Sequence, residues 1–495
     1  MNVRTLLDNF DLIADAPGGV PKLRELILQL AVQGRLTGQC ATSADWRKLS
    51  MREACLLITD GEHATPQRTA DGIPLATAKN VRDGFLDMEN TDFVSSVTAQ
   101  KCWRRCRPRH NDVLMVCVGA TTGRVCRVQH PPDMVLVRSV ALIRPNENCL
   151  APSFLELFLR SPNGQSQIWG NVKQSAQPCL YLGRMGNFVI SLPPLPEQQR
   201  IVAKVDELMK RCDELENRQK ERSAHHKTLV TSCLNALSGP KCDPELIIQH
   251  SSFSILFSSA ESISELRKTI LQLAVQGRLV PTQVGRSSKS SEQGQLPASW
   301  EWKTIGELQP EFQNGLSKRV GQTGEKTPVV RLANIVNGVI SATDVREIMM
   351  TSSERKKYEL LPSDILITRV NGSVDLVGSF TQVAIIIDAA YCDHFIRMRL
   401  PADSIMPEYA VLYGKSELCR EAVAKLFITT AGQKTVNQGH VSSLQVPLPP
   451  LAEQKRIVTK VNELMGMCDK LKTKLTQSSV VAEKLAGAVI NHISA

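Results

Sequence analysis

The sequence predicts an α/β protein in which one mixed α/β domain occurs twice, together with two long helices. Three observations lead to this prediction. Two segments recur almost unchanged, a heptad pattern of apolar residues follows both copies of one of them, and short β-rich runs fill the intervals. A tandem internal duplication of a single fold accounts for all three.

Two pairs of segments carry the duplication. The sequence LRELILQLAVQGRL, residues 23–36, returns at residues 266–279 as LRKTILQLAVQGRL. The sequence LPPLPEQQRIVAKVDELMKRCDELE, residues 192–216, returns at residues 448–472 as LPPLAEQKRIVTKVNELMGMCDKLK. Weaker matches keep the same order, among them Trp46 with Trp302 and Asp60-Gly61 with Asn314-Gly315. Divergence between near-identical anchors indicates one scaffold with two different surfaces, although relaxed selection on surface loops would also produce it.

Both LPPL segments are predicted to begin a long helix. The first helical turn tolerates proline, and Glu197 and Glu453 lie where the helix dipole favours negative charge. Apolar residues then recur at alternating intervals of four and three, which is typical of a coiled-coil seam. The first helix is expected to run from about residue 196 to residue 239 and to act as a spacer. The seam residues are Ile201, Val205, Leu208, Cys212 and Leu215, then Ile457, Val461, Leu464, Cys468, Leu471 and Leu475.

The two intervening regions have the pattern of mixed α/β domains. β-rich runs at residues 112–118, 134–143, 364–368 and 383–387 alternate with glycine turns and with helical patches at 152–160 and 407–418. The stretch that precedes the second region is polar and rich in serine and glycine, which predicts a flexible linker at residues 281–296.

Composition and missing motifs exclude several classes of protein. The chain has no run of about 18 uncharged apolar residues and no signal-like start, so we expect a cytoplasmic protein. None of the 14 cysteines has C-x-x-C spacing, so we expect reduced thiols and no metal site. No P-loop, no N-P-P-[YF] tetrapeptide and no glycine motif for S-adenosylmethionine occurs, so we expect no catalytic residues. A net charge of +10 favours a polyanionic partner.

The repeated motifs resemble those of a known family. The boxes LPPLPEQQRIVAKVDEL and LPPLAEQKRIVTKVNEL, with the doubled QLAVQGRL segments, resemble the specificity subunit of type I restriction–modification systems over the whole chain. The resemblance implies two target recognition domains, each of which reads one half of a bipartite, asymmetric site in double-stranded DNA. Two long antiparallel coiled-coil spacer helices would relate these domains by pseudo-two-fold symmetry, which matches the pseudo-dyad of duplex DNA.

The resemblance also implies how DNA methylation and defence against foreign DNA are shared among subunits. Two methyltransferase subunits would methylate adenine N6 with S-adenosylmethionine, and restriction subunits would translocate and cleave DNA with ATP and Mg²⁺. This chain would recognise the target DNA sequence, bind no cofactor and catalyse no reaction. The alternative is a coiled-coil assembly scaffold that does not read DNA sequence.

The repeats and the resemblance together divide the chain into six parts. Residues 1–39 form a conserved segment that is expected to pack with the distal helix, and residues 40–191 the first recognition domain. Residues 192–280 hold the central spacer helices, 281–296 the linker, 297–446 the second recognition domain and 447–495 the distal spacer helix.

Candidate DNA contacts lie in two places in each recognition domain. A basic group precedes the NDVLMV or SDILIT strand, where phosphate contact competes with the interpretation of a solvated charged loop. Loops that mix amide, hydroxyl and basic groups follow Asp60 and Asn314, where base readout competes with a plain turn. The candidates are Arg104, Arg105, Arg107, Arg109, His63, Thr65, Gln67 and Arg68 in the first domain, and Asn314, Ser317, Lys318, Arg319, Arg355, Lys356 and Lys357 in the second.

Overall fold

The computed structural model describes residues 3–37, 46–129, 133–173, 177–237, 253–280, 296–317, 323–336, 338–341, 344–384, 388–430 and 432–494. The chain folds as two units, residues 1–223 with 478–495 and residues 224–477. Each unit contains one copy of the same α/β architecture, so the predicted duplicated fold is confirmed. Among the described helices, none is both long enough and apolar enough to cross a membrane.

The first unit opens with helices, continues as an α/β domain and ends on a long helix. Its sheets have the strand orders β2-β10-β7-β8, β6-β3-β9, β1-β11 and β4-β5. Its elements are α1 (Val3–Asp8), α2 (Phe10–Asp15), α3 (Gly19–Val32), β1 (Arg47–Ser50), α4 (Met51–Ala54), β2 (Cys55–Asp60), β3 (Ile73–Ala76), β4 (Val81–Arg82), β5 (Phe85–Leu86), β6 (Asp92–Val94), α5 (Ser96–Trp103), β7 (Val113–Val116), β8 (Val125–Arg127), β9 (Val135–Leu136), β10 (Val140–Pro145), α6 (Pro152–Arg160), α7 (Pro162–Asn171), α8 (Leu182–Met185), β11 (Val189–Leu192) and α9 (Leu195–Leu237), whose last residues belong to the second unit.

The second unit repeats this topology. Its sheets β13-β22-β18-β20, β17-β14-β21, β12-β25 and β15-β16 match those of the first unit, and it adds a small sheet β19-β24-β23. Its elements are α10 (Phe253–Leu256), α11 (Ala260–Val275), β12 (Glu301–Thr304), β13 (Glu311–Asn314), β14 (Glu325–Val330), β15 (Ile335–Val336), β16 (Val339–Ile340), β17 (Arg346–Met350), α12 (Ser352–Tyr358), β18 (Ile365–Thr368), β19 (Val370–Asn371), β20 (Phe380–Gln382), β21 (Ala390–Tyr391), β22 (Phe395–Arg399), α13 (Pro407–Lys415), α14 (Glu417–Leu426), β23 (Ile428–Thr430), β24 (Gln433–Thr435), α15 (Gln438–Ser442), β25 (Gln445–Leu448) and α16 (Leu451–Ser494), with 3₁₀ turns at Gly306–Leu308 and Leu332–Asn334.

The central strands β7 and β18 form because uninterrupted apolar sequences can be buried on both faces. Every residue of VLMV in β7 and of ILIT in β18 is buried, and each strand lies between two antiparallel neighbours. Periodicity alone does not identify such a strand, but its shortness and β-branched content favour it over a helix. Each strand therefore fixes the end of the loop that precedes it.

The seam residues of both long helices lie in the hydrophobic cores of their units. A helix with one apolar stripe is stabilised by packing that stripe against a neighbour. In the first unit the seam shares a core with α3, and in the second unit with α11. Buried members are Ile201, Val205, Leu208, Cys212, Leu215, Ile457, Val461, Leu464 and Cys468, whereas Leu471 and Leu475 are half-buried.

One arginine of the repeated LRELILQLAVQGRL segment docks on the long helix in each unit. Arg24 of α3 lies 2.6 Å from an Asp213 carboxylate oxygen of α9, and Arg267 of α11 lies 2.6 Å from Asp469 of α16. Half-exposed ion pairs of this kind contribute little free energy, about 1 kcal/mol or less. Their repetition shows that the same helix pair was duplicated with its contacts.

The C-terminal end of α16 contacts the N-terminal segment within the first unit. Arg35 donates hydrogen bonds to the carbonyl oxygens of Ile493 at 2.8 Å and Ser494 at 2.7 Å. The last carbonyls of a helix have no partner inside the helix, and a cation there also complements the helix dipole. Lys22 lies 3.3 Å from Glu483 on the same helix.

The structure corrects one match made from sequence. Trp46 precedes β1 and packs edge-on against Phe154, and Trp300 precedes β12 and packs in the same way against Tyr409. The counterpart of Trp46 is therefore Trp300, and the match to Trp302 was wrong by two residues. Repeats of tryptophan in W-x-W leave such a register open until tertiary contacts decide it.

Two predicted element boundaries also differ from the structure. The strand expected at 383–387 is displaced: β20 ends at Gln382, opposite Ile365, and the backbone of Val383 pairs instead with the turn at Ser363 and Asp364, where Ser363 has a φ of 79°; residues 385–387 lie outside the described residues. The helix expected at 407–418 stops at Lys415, since Ser416 caps a new helix by accepting the N–H of Cys419. The predicted linker, apart from Leu296, and the predicted helix end at residue 239 lie outside the described residues.

Candidate nucleic-acid interface

One buried carboxylate fixes the loop that carries the arginine cluster of the first unit. Asp112 is 1% exposed, accepts the N–H of Arg109 at 2.7 Å and accepts two hydrogen bonds from Arg144 at 2.8 and 2.7 Å. Arg144 also donates to the carbonyl oxygen of Arg107 at 3.2 Å. Hydrogen bonding to Asp112 raises the pKa of Arg144, so the guanidinium stays charged. The loop between α5 and β7 is therefore held in one conformation.

The four arginines of this loop have different surroundings. Arg105 forms an ion pair with Asp60, and Arg107 lies 4.4 Å above the Trp103 ring and 2.8 Å from Asp133. Arg104 and Arg109 are exposed, and in the described part of the chain neither side chain has an ion pair. Arg104 and Arg109 are thus available to a phosphate, whereas Arg105 and Arg107 must exchange an existing partner.

Arg105 joins the two candidate segments of the first unit. Its guanidinium contacts Asp60 at the end of β2 and lies 2.7 Å from Nε2 of His63. The side chains of the following loop, His63, Thr65, Gln67 and Arg68, are exposed. The structure therefore brings the arginine cluster and the loop after Asp60 to one edge of the domain.

The second unit repeats the buried anchor. Asp364 is 1% exposed, accepts the N–H of Leu361 at 2.8 Å and binds Arg399 through both carboxylate oxygens at 2.7 and 2.9 Å. Asn111 and Ser363, which precede the two aspartates, have φ values of 72° and 79°. An identical backbone turn and ion pair thus support the loop before β7 and the loop before β18.

The basic group of the second unit is bound differently. Arg355 forms ion pairs with Glu325 and with Asp388, the latter at 3.0 Å. Lys356 and Lys357 are exposed, and the Lys357 ammonium lies 5.5 Å from the centre of the Tyr358 ring. The two lysines are available to a phosphate, and Arg355 holds β14 and the loop before β21 together.

The loops after Asp60 and Asn314 begin at glycines that no other residue can replace without movement. A Cβ on Gly61 would lie 2.1 Å from the Leu136 carbonyl oxygen, and one on Gly315 would lie 2.0 Å from the Cys392 carbonyl oxygen. Asn314 accepts a hydrogen bond from Gln438 at 3.1 Å, and Ser317 is exposed. Lys318 and Arg319 lie outside the described residues.

A cavity beside the Asn314 loop was missed by the sequence analysis. It has a volume of about 230 Å³, and its lining includes Arg331, Arg346 and His394 together with the apolar residues Leu316, Val329 and Ile348. Its residues come from the loop after β13, from β14 and the turn that follows it, from β17 and from the turn before β22, so no local motif identifies them.

Three consecutive residues at this cavity bring metal-ligand atoms together. Donor atoms of Cys392, Asp393 and His394 lie within 4.8 Å of one another. A structural zinc site takes four protein ligands, and this group has three among the described residues. Burial raises the pKa of the Cys392 thiol, which disfavours the thiolate that binds metals. The group therefore fits a metal poorly.

A comparison with protein-family models decides the family. Residues 105–223 and 297–478 match the type I restriction modification DNA specificity domain, once in each half of the chain. The chain belongs to this family. The two matched segments cover most of both copies of the duplicated domain, together with the first part of the helix that follows each copy.

Individual members of the type I specificity family are similar over most of the chain. The specificity subunit of the type I restriction enzyme StySPI from Salmonella potsdam is 25% identical, covering 85% of this chain and 81% of its own. That of EcoAI from Escherichia coli is 27% identical, covering 96% and 94%. A solved chain of a type I restriction–modification system has a TM-score of 0.51 at 18% identity and covers 91% of this chain and 97% of its own, which shows a common fold.

Proposed function

We propose that this chain reads a bipartite, asymmetric DNA site, with one half-site bound by each recognition domain. Its membership of the type I specificity family supports this proposal. The observation that carries it is the contrast within the duplication. The anchors Asp112 and Asp364 make the same contacts, yet the basic residues that precede the two anchors differ in identity and in partners.

The chain acts without catalysis of its own. Two methyltransferase subunits bind its conserved helices and methylate adenine N6 with S-adenosylmethionine, and restriction subunits cleave DNA with ATP and Mg²⁺. The chain itself binds no cofactor and works in the cytoplasm of a bacterial or archaeal cell. A coiled-coil scaffold that does not read DNA sequence would not require different basic residues in the loops before β7 and β18, which occupy matching places in the fold.

Domain exchange tests the proposal. Residues 40–191 are replaced by the matching region of another family member, and the chimera is expressed with its modification subunits. Sequencing of the methylated genome should show one changed half-site and one unchanged half-site. Methylation without any sequence preference, or changes in both halves, contradicts the proposal. The partner-free chain serves as the second control, since methyl transfer by it alone would contradict the assignment of catalysis to other subunits.

A further inference from the structure

The cavity of the second unit occupies a place that can be compared, residue by residue, with the first unit. Strand pairing places Val329 opposite Arg346 in the second unit and Leu75 opposite Asp92 in the first. The bridge between Leu316 and Cys392 corresponds to the bridge between Glu62 and Val137. We name the second-unit cavity, lined by Arg331, Arg346, His394, Leu316, Val329 and Ile348, the corner pocket.

The backbone around the corner pocket is the same in both copies. The amide N–H of Arg331 donates to the buried Asn334 side chain at 3.0 Å, and that of Thr77 donates to the buried Asn80 at 2.9 Å. Gly315 donates to the Phe395 carbonyl and Gly61 to the Val140 carbonyl. These contacts establish which residues of the two copies are structurally equivalent.

The side chains that line the corner differ in charge between the two units, although the backbone hydrogen bonds around them are the same. The first unit has Thr77 where the second has Arg331, and Ser139 where the second has His394. It has Asp92 at the position of Arg346 and Glu62 at the position of Leu316.

In the first unit, the acidic residue at the position of Arg346 forms ion pairs with two basic side chains. Asp92 lies 3.2 Å from Lys79 and 3.6 Å from Arg68. Where the backbone is the same and the charge is inverted, the two copies present different binding surfaces. A residue with a structural role is instead the same in both copies, as Asn80 and Asn334 are. The corner is thus a part of the scaffold where the two copies present different recognition chemistry.

We infer that the corner pocket reads the base edges of the half-site bound by the second recognition domain, an inference that rests on the proposed function. Arginine offers only donors in a planar fork, and guanine presents two acceptors, O6 and N7, in the major groove. Arg346 and Arg331 therefore select guanine. The apolar lining formed by Leu316, Val329 and Ile348 suits a thymine methyl group.

Asp393 and Asp344 hold two polar side chains of the pocket in place. The Nδ1 of His394 lies 3.2 Å from an Asp393 carboxylate oxygen, and Arg331 donates to the Asp344 carbonyl at 3.3 Å. The Arg331 guanidinium has further N–H groups that can donate to a base. Such restraint lowers the entropy cost of binding and sharpens discrimination.

The test uses the full chain with its modification subunits and sequences the methylated genome. Arg346→Ala should leave the first-unit half-site unchanged and make one G·C position of the second-unit half-site degenerate, with discrimination there reduced about 10- to 100-fold. Arg346→Lys keeps the charge but loses the fork, so it should show the same degeneracy. Lys425→Ala, an exposed cation of α14 in the same unit, is the control and should leave the site intact.

An unchanged site in both Arg346 variants, with methylation retained, overturns the inference. If a variant fails to assemble, the wild-type complex is assayed on DNA in which 7-deazaguanine replaces guanine at one position at a time. Loss of methylation at a second-domain guanine supports the inference, and indifference at every such guanine overturns it. A wild-type complex that methylates without sequence preference would instead refute the proposed function itself.

Discussion

Gln198 accepts the backbone N–H of Ala151 at 2.8 Å and thereby joins the first turn of the long helix α9 to the start of α6. Its amide nitrogen donates to the carbonyl oxygens of Cys149 at 2.8 Å and Pro193 at 2.9 Å, and the residue is fully buried. The glutamine of the LPPLPEQ box therefore connects the long helix α9 to the α/β domain.

Gln454 makes the same three contacts in the second unit. It accepts the N–H of Met406 at 2.7 Å and donates to the carbonyls of Ser404 at 3.1 Å and Pro449 at 2.9 Å. The long helices leave their α/β domains at an identical joint. The recurrence of this glutamine in both boxes thus has a structural cause that requires no contact with DNA.

Gln198→Ala should lower the free energy of unfolding of the first unit by about 3 kcal/mol, because buried groups of the main chain lose their hydrogen-bond partner. Gln199→Ala is the matched control. Gln199 is exposed and adjacent, so its replacement should change stability by less than about 0.5 kcal/mol. Denaturant unfolding of both variants measures the difference, and equal effects would show that the joint is not stabilised by this side chain.

Gly34→Ala should destabilise the first unit by roughly 2 to 4 kcal/mol. Gly34 has a φ of 73°, and a Cβ there would lie 2.6 Å from the Trp46 ring. Backbone strain and overpacking therefore both contribute to the loss of stability. Gly18→Ala separates the two terms. Gly18 has a φ of 65° but open space around it, so only strain of about 1 kcal/mol is expected. Thermal unfolding of the pair checks this, and a Gly18 variant as unstable as the Gly34 variant would refute the steric part.

The repeats of this chain were sufficient to predict the duplication, the long helices and their apolar seams. Such features depend on local spacing, which a sequence displays directly. The roles of Gln198 and Asp112 depend on partners 47 and 32 residues away, and sequence spacing does not reveal those distances. The corner pocket is even harder to predict from local sequence, since its lining combines four separate segments.

The candidate DNA contacts illustrate the same limit. Arg104 and Arg105 are neighbours in a basic run, and the sequence treats them alike. In the structure Arg104 is exposed, whereas Arg105 is bound to Asp60, which lies 45 residues earlier. Charge can be counted from sequence, but the pairing that neutralises it is set by the fold.

Glu156 should make stability depend on pH. Burial raises its pKa, an effect that Arg160 and Arg127, both 3.7 Å away, only partly offset. A carboxyl with a raised folded-state pKa stabilises the fold while protonated, and this contribution is lost as pH rises through that pKa. Glu156→Gln should therefore raise the melting temperature at pH 8, with a gain that shrinks toward pH 4.

Calorimetry of wild type and Glu156→Gln across this pH range measures the effect. Glu147→Gln, which changes a carboxylate outside the cluster of Glu156 and its two arginines, should give no comparable gain. A Glu156→Gln variant that is less stable at pH 8 than at pH 5, relative to wild type, would show that the two arginines outweigh burial.

Buried thiols should resist alkylation in the folded protein. Burial raises the pKa of Cys117 and of Cys126 to about 12, and every described cysteine is a free thiol. Since the thiolate is the nucleophile, these residues should react with iodoacetamide at pH 8 only after unfolding. Mass spectrometry of native and denatured samples checks this, and rapid native labelling of Cys117 or Cys126 would contradict it.

Arg104 should contribute to DNA affinity through phosphate contact without reading sequence. Each phosphate contact releases condensed counterions, so Arg104→Ala should reduce the slope of log affinity against log salt by about 1. Specific and nonspecific duplexes should lose affinity to a similar degree. Lys210→Ala removes the same charge from an exposed position on α9 and should leave the slope unchanged. Titrations of the complex with its modification subunits at several salt concentrations provide the measurement. Equal slopes for wild type and Arg104→Ala would place this arginine away from the DNA backbone, and a loss confined to the specific duplex would make it a base contact instead.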